Sequence, residues 1–148
     1  MTTLRVIHWL SRLFLASVFV YSGYVKLQEP LQFAVAIQAY KLAPEAMIYP
    51  LATYLPWFEL FLGLLLLSGW KIRYSAMATT GLLLFFIVIL SITYARGIEA
   101  NCGCFSLDDR ISIKTIARDS LIIIPAIFLI LESRFRSRLN KTAPNPAI

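Results

Sequence analysis

Residues 74–94 read YSAMATTGLLLFFIVILSITY, twenty-one positions without one charged side chain. About 20 apolar residues in a helix cross the hydrocarbon core of a bilayer. No periodic polar stripe runs along the stretch, as expected of a helix facing lipid. Three further segments are long and apolar enough to qualify as spans: 6–27, 50–69 and 113–131. The expected fold is therefore an all-α membrane protein, a bundle of four transmembrane helices.

The composition agrees. The chain has 148 residues, 59% apolar and only 15% charged, with mean hydropathy +0.72; a soluble domain is usually about half apolar and a quarter charged. This length suits one bundle and leaves no room for a second domain. Residues 1–139 are read as the transmembrane domain. Residues 140–148, with Pro144 and Pro146, are read as a flexible cytoplasmic tail. Arg5, His8 and Arg12 flank the first apolar segment as they would in a signal peptide. Gly23-Tyr24-Val25-Lys26 is a poor cleavage site, so the segment is read as a retained span. Residues 30–49 are too polar to cross. Leu31, Phe33, Ala34, Ile37, Tyr40 and Leu42 predict a short amphipathic helix there, lying on the outer surface between spans one and two.

A net charge of +6 invites a nucleic-acid partner, but the charges flank the spans instead of forming a basic groove. They act as topology signals. With four spans, one face carries Arg5, Arg12, Lys71, Arg73, Arg134, Arg136, Arg138 and Lys141, with Glu132 as its single acid. The opposite face carries Lys26, Lys41, Arg96, Arg110, Lys114 and Arg118 beside six acids. Lys and Arg decide orientation, so both termini are expected in the cytoplasm and the 95–112 loop outside.

That outer loop holds both cysteines of the chain, as Cys102-Gly103-Cys104. Disulfides form and persist on that side of the membrane. Two Cys, with His8 on the opposite face, do not supply the four ligands of a structural zinc site; no metal is expected. A structural bridge gains little, because the entropic benefit grows with the closed loop and this loop is minimal. Such a bridge is strained unless the chain turns sharply, which Gly103 permits. Strained, exposed disulfides are the labile ones. The pair therefore reads as a thiol–disulfide exchange site. Arg96, Arg110, Lys114 and Arg118 are near in sequence and would favour a thiolate, though interfacial flanking charge accounts for them equally.

Glu59 stands mid-span, where an unpaired charge costs roughly 2.5–3.5 kcal/mol or more. One reading has Pro56 starting a fresh helical segment whose dipole Glu59 complements. The other is a buried, paired carboxylate. At about 1.5 Å per residue, Glu59 lies roughly 15 Å from the cytoplasmic end of its span, with Lys26 and Arg118 at roughly 20 Å. Lys26, Glu59, Arg118 and Asp119 are expected to form one polar layer beneath the cysteine loop. Snorkelling explains Lys26 equally well but not Glu59. Tyr21, Tyr24, Tyr54, Trp57 and Tyr94 fit an interfacial belt. Tyr24 and Trp57 would equally suit a quinone ring whose carbonyl is held by Lys26 or Arg118.

Several of these pieces occur in a fixed order. They are Ser22-Gly23-Tyr24-Val25-Lys26, Tyr40-Lys41-Leu42-Ala43-Pro44 and Leu55-Pro56-Trp57-Phe58-Glu59 with Gly63. Arg96-Gly97, Asn101-Cys102-Gly103-Cys104-Phe105 and Arg118-Asp119 follow. The set, over about residues 5–132, resembles the DoxX-like membrane proteins and, among them, the MauE-type branch. The resemblance implies a four-helix protein of the bacterial inner membrane tied to periplasmic thiol redox chemistry. MauE-type proteins are associated with methylamine dehydrogenase maturation beside a thioredoxin-like partner; other relatives are linked to quinone-coupled sulfur oxidation. Ser106 departs from the pattern, in which Gly often follows Cys-Gly-Cys-Phe.

The leading functional reading is a membrane thiol–disulfide redox component. A periplasmic thioredoxin-like or other disulfide-containing protein would exchange with Cys102 and Cys104, and electrons would pass to a quinone near Lys26, Glu59 and Arg118. Cys104, closer to the fourth span, is the choice for the inner role. A second reading is a non-enzymatic accessory or assembly subunit of a larger membrane complex. A third is a small-molecule transporter using the Glu59 layer. Only the first requires both thiols.

Overall fold

The computed structural model describes residues 2–101 and 110–142, and these are helical apart from short connections. Five helices follow one another: α1 (Thr2–Gln28), α2 (Pro30–Ala39), α3 (Glu45–Ser68), α4 (Ile72–Ala95) and α5 (Ile113–Thr142). The described residues contain no strand; Asn101 and Arg110 form one isolated antiparallel bridge. Cys102 and Cys104 lie between them, outside the described residues.

The breaks follow from the sequence. Pro30 cannot extend α1, but it suits the first turn of α2, where its missing N–H costs nothing. After α2 the chain turns through Lys41, at φ 51°, to extended Pro44. Helix α3 then starts at Glu45, five residues before the expected span, and runs unbroken through Pro50 and Pro56. Pro56 therefore starts no new segment. At the far end Gly69, at φ 74°, caps α3 in the left-handed conformation, its N–H bonded to Leu65 O at 3.1 Å.

Among the described residues three helices are long and apolar enough to cross a membrane: Thr3–Gln28, Glu45–Ser68 and Ile72–Ala95. Helix α5 does not join them by that measure, so three of the four expected spans are supported. Between Asp119 and Glu132 its uncharged run covers only residues 120–131. At about 1.5 Å per residue that is roughly 18 Å, short of a bilayer core.

All four long helices nevertheless pack together. Leu15 and Phe19 of α1, Leu66 of α3, Leu83 of α4, and Ile122 and Leu129 of α5 share one core cluster. Helix α1 packs most heavily on α3, and α4 on α5, while α3 and α4 touch only sparsely. The expected amphipathic helix is α2. It buries Phe33, Ala34 and Ile37 against Ile48 and Ala52 of α3. Phe14, Phe61, Leu64, Phe85 and Val88 point outward, the inside-out surface of a membrane protein.

The α1–α3 contact depends on two glycines. A Cβ on Gly23 would sit 2.8 Å from Pro56 O. One on Gly63 would sit 2.7 Å from Val20 Cγ2 and 3.0 Å from Val20 N. Lipid gives helices no hydrophobic drive to associate, so such close backbone approach is what holds them.

Gly63→Ala should therefore cost about 1–3 kcal/mol through overpacking. Gly81→Ala, where a Cβ meets nothing within 4 Å, should cost nothing. Unfolding of both variants in detergent tests this; equal stability would mean that the two helices have room to spare.

Candidate functional site

Ser22 and Lys26 are four residues apart, so they share one face of α1. Gly23 brings that face against α3 at Pro56, one turn before Glu59. The Lys26 ammonium donates to Glu59 Oε1 at 2.6 Å, Glu59 Oε2 at 2.8 Å and Ser22 Oγ at 3.0 Å. Its three N–H groups thus meet three acceptors. Ser22 in turn donates to Glu59 Oε2 at 3.1 Å. Lys26 is 1% exposed and Glu59 2%. The rings of Phe33 and Phe86 flank the ammonium, with centroids at 5.1 and 4.8 Å. They add cation–π attraction and exclude water.

Asp119 of α5 is also buried and faces this group across a cavity of about 30 Å³. Lys26, Glu59 and Asp119 therefore do share a layer. Arg118 Nε donates to Asp119 Oδ1 at 3.2 Å, and the partner of Glu59 is Lys26. A space of about 30 Å³ admits a water or two, each needing roughly 10–15 Å³. It does not admit a quinone ring.

Tyr24 and Trp57 are not brought to the pair. They are 54% and 58% exposed on the outer surface. Each precedes its charged neighbour by two residues, which is about 200° around a helix. Tyr24 Oη instead accepts a bond from Gln28 Nε2 at 2.8 Å.

Cys102 and Cys104 lie outside the described residues, but the stem that carries them is defined. Asn101 pairs with Arg110, and Ile111 N donates to Ala100 O at 2.9 Å. Buried Tyr40, in the turn after α2, donates its hydroxyl to Asn101 O at 2.9 Å. Arg96 Nη1 donates to Tyr40 O at 3.5 Å. The segment before Cys102 is thus tied to the α2 end of the bundle. No group of three or more His, Cys, Asp or Glu among the described residues could hold a metal ion.

Charges counted for orientation alone turn out to hold the opposite end. Arg12 donates to Leu66 O at 2.6 Å and to Leu67 O, satisfying carbonyls left open at the end of α3. Its guanidinium stacks over Trp9 at 4.5 Å and fills the space a Cβ on Gly69 would need. His8 Nδ1 pairs with Glu132 Oε2, joining α1 to α5. The lone histidine and the lone acid among the basic residues of that end were the available sequence signal.

One family profile matches residues 4–132 of this chain, that of "Methylamine utilisation protein MauE". No curated protein and no solved structure matches it.

Removing one member of a buried ion pair leaves an uncompensated charge and costs about 3–5 kcal/mol. Lys26→Met and Glu59→Leu should each lose about that much, and the double variant should lose less than either. Glu59→Gln should be milder than Glu59→Ala, since the amide oxygen still accepts from Lys26. Unfolding free energies that simply add across the two sites would show the pair to be uncoupled.

Proposed function

This chain belongs to the MauE family, and from that premise we propose that it is a membrane accessory protein of methylamine utilisation that works by thiol–disulfide exchange through Cys102 and Cys104. The observation that carries the proposal is the anchored stem. The Tyr40–Asn101 bond and the Asn101–Arg110 pair hold the chain on either side of the cysteines at one end of the bundle. The proposal places the thiol exchange at that end of the bundle.

In the forward direction, a thiolate of a periplasmic dithiol protein attacks one sulfur of the Cys102–Cys104 disulfide. The S–S bond breaks, and a mixed disulfide forms. The partner's second thiolate displaces the cysteine, leaving an oxidised partner and a reduced Cys102/Cys104 dithiol. Two electrons and two protons have moved. Restoring the disulfide needs an acceptor of two electrons and two protons. A lipid-soluble quinone, which leaves as quinol, is the class that fits a protein in a bilayer.

The topology belongs to the same proposal. Helix α5 crosses as a fourth span, with Asp119 turned into the bundle and Arg118 bonded to it. Both termini are then cytoplasmic and the cysteines periplasmic, in the bacterial inner membrane. The complete mutual satisfaction of Lys26, Glu59 and Ser22 supports a second reading, in which the chain is a non-enzymatic assembly subunit and the pair only holds helices together. Transport through Glu59 would need an accessible carboxylate, and this one is 2% exposed.

Cys102→Ser with Cys104→Ser should leave folding intact, abolish exchange with a reduced dithiol protein and stop growth on methylamine. An impermeant thiol reagent should label the reduced wild-type protein from the periplasmic side. Full methylamine growth of the double variant would favour the assembly reading, and labelling only after permeabilisation would reverse the topology.

A further inference from the structure

A second cavity, of about 240 Å³, lies beneath α2 where α3 and α4 part. Phe33 of α2 and Tyr40 of the following turn form one side. Leu55 of α3 and Phe85, Phe86 and Ile89 of α4 form the others. We propose that this cavity is the binding site for the ring of a lipid-soluble quinone. The identity of the ligand rests on the thiol-exchange reading; the place and shape of the site do not.

Charge comes first. The lining side chains are all uncharged; Lys26 stands behind the rings of Phe33 and Phe86, neutralised by Glu59, and exposed Arg96 reaches the Tyr40 carbonyl. An ionic ligand would lose its hydration against a lining that carries no charge. The site suits a neutral molecule.

Shape comes second. Three phenylalanine rings line the space, two of them edge-to-face with centroids 6.3 Å apart. Aromatic walls in that arrangement favour a flat ring stacked on one and met by the edge of another. The volume is just below the roughly 300–1,000 Å³ of common small-molecule sites. A head group fits and a long tail does not. The rim residues Leu51 and Phe85 are themselves 37% and 55% exposed on the outward surface. A tail would leave past them into lipid.

Position comes third. Among the described residues of the lining, the one hydroxyl is that of Tyr40, and it donates to the carbonyl of Asn101. Asn101 is the residue directly before Cys102. The same tyrosine therefore touches the cavity and the stem of the cysteine segment. This answers what the Lys26–Glu59 layer does not, because its own cavity is too small for a ring.

The experiment uses the full chain in nanodiscs of quinone-free lipid, with a photoreactive azido analogue of a short-chain ubiquinone as probe. Peptide mapping should place the label on the turn at 40–43 or on α4 near Phe86. Ala43→Phe, which fills the cavity from a turn, should weaken probe binding at least tenfold. Phe85→Ala should weaken it severalfold, and thermal unfolding should confirm that both variants fold. A label elsewhere on the bundle, competition by phospholipid alone, or undiminished binding in both variants would overturn the site. Exchange of the wild-type disulfide with a reduced dithiol protein is read separately, without probe. Its failure, with the label still in the cavity, would sink the thiol-exchange reading and leave the ring site standing.

Discussion

Lys26 and Glu59 would each be expensive inside a bilayer, and each is tolerable because the other lies 2.6 Å away. That distance is possible only because α1 and α3 come close, and they do so across Gly23 and Gly63. The glycines permit the approach, and the ion pair with Ser22 then fixes its register. A one-residue slip of α1 along α3 would separate the charges and drive Cβ atoms into backbone. The α1–α3 contact is accordingly the most extensive among the described helices, and the remaining elements are arranged around it.

Two polar clusters close the bundle at its ends by different means. At one end Arg12 completes the hydrogen bonding of the α3 terminus and His8 ties α1 to Glu132 of α5. In lipid every open carbonyl is costly, so a guanidinium there replaces the water that a soluble helix would use. At the other end Tyr40 and Arg96 tie the turn after α2 to the stem of the cysteine segment. Between these ends α3 and α4 stay apart, and the space between them is the larger, apolar cavity.

This arrangement divides labour. The buried ion pair is saturated by its own partners, which suits holding helices more than binding a ligand. The apolar cavity has unfilled volume and, in Leu51 and Phe85, rim residues exposed on the outer surface. The cysteine stem adjoins the cavity through Tyr40. A redox accessory protein would need these three parts: a rigid frame, a thiol pair outside the hydrocarbon, and a neutral site that a lipid-soluble acceptor can reach.

The helical class, the outward apolar surface and the short helix α2 between the first two long helices were all legible in the sequence. Each depends on local hydropathy or on a local breaker such as Pro30. The common depth of Lys26 and Glu59 was legible too, because rise per residue is a property of one helix. That Tyr24 and Trp57 point away from those charges was also available, since two residues turn a helix by about 200°. The choice of Lys26 over Arg118 for Glu59, the use of Arg12 as a cap, and the cavity beneath α2 were decided by tertiary structure alone. Each depends on which helix stands beside which and how closely, and that follows from steric fit among residues distant in sequence.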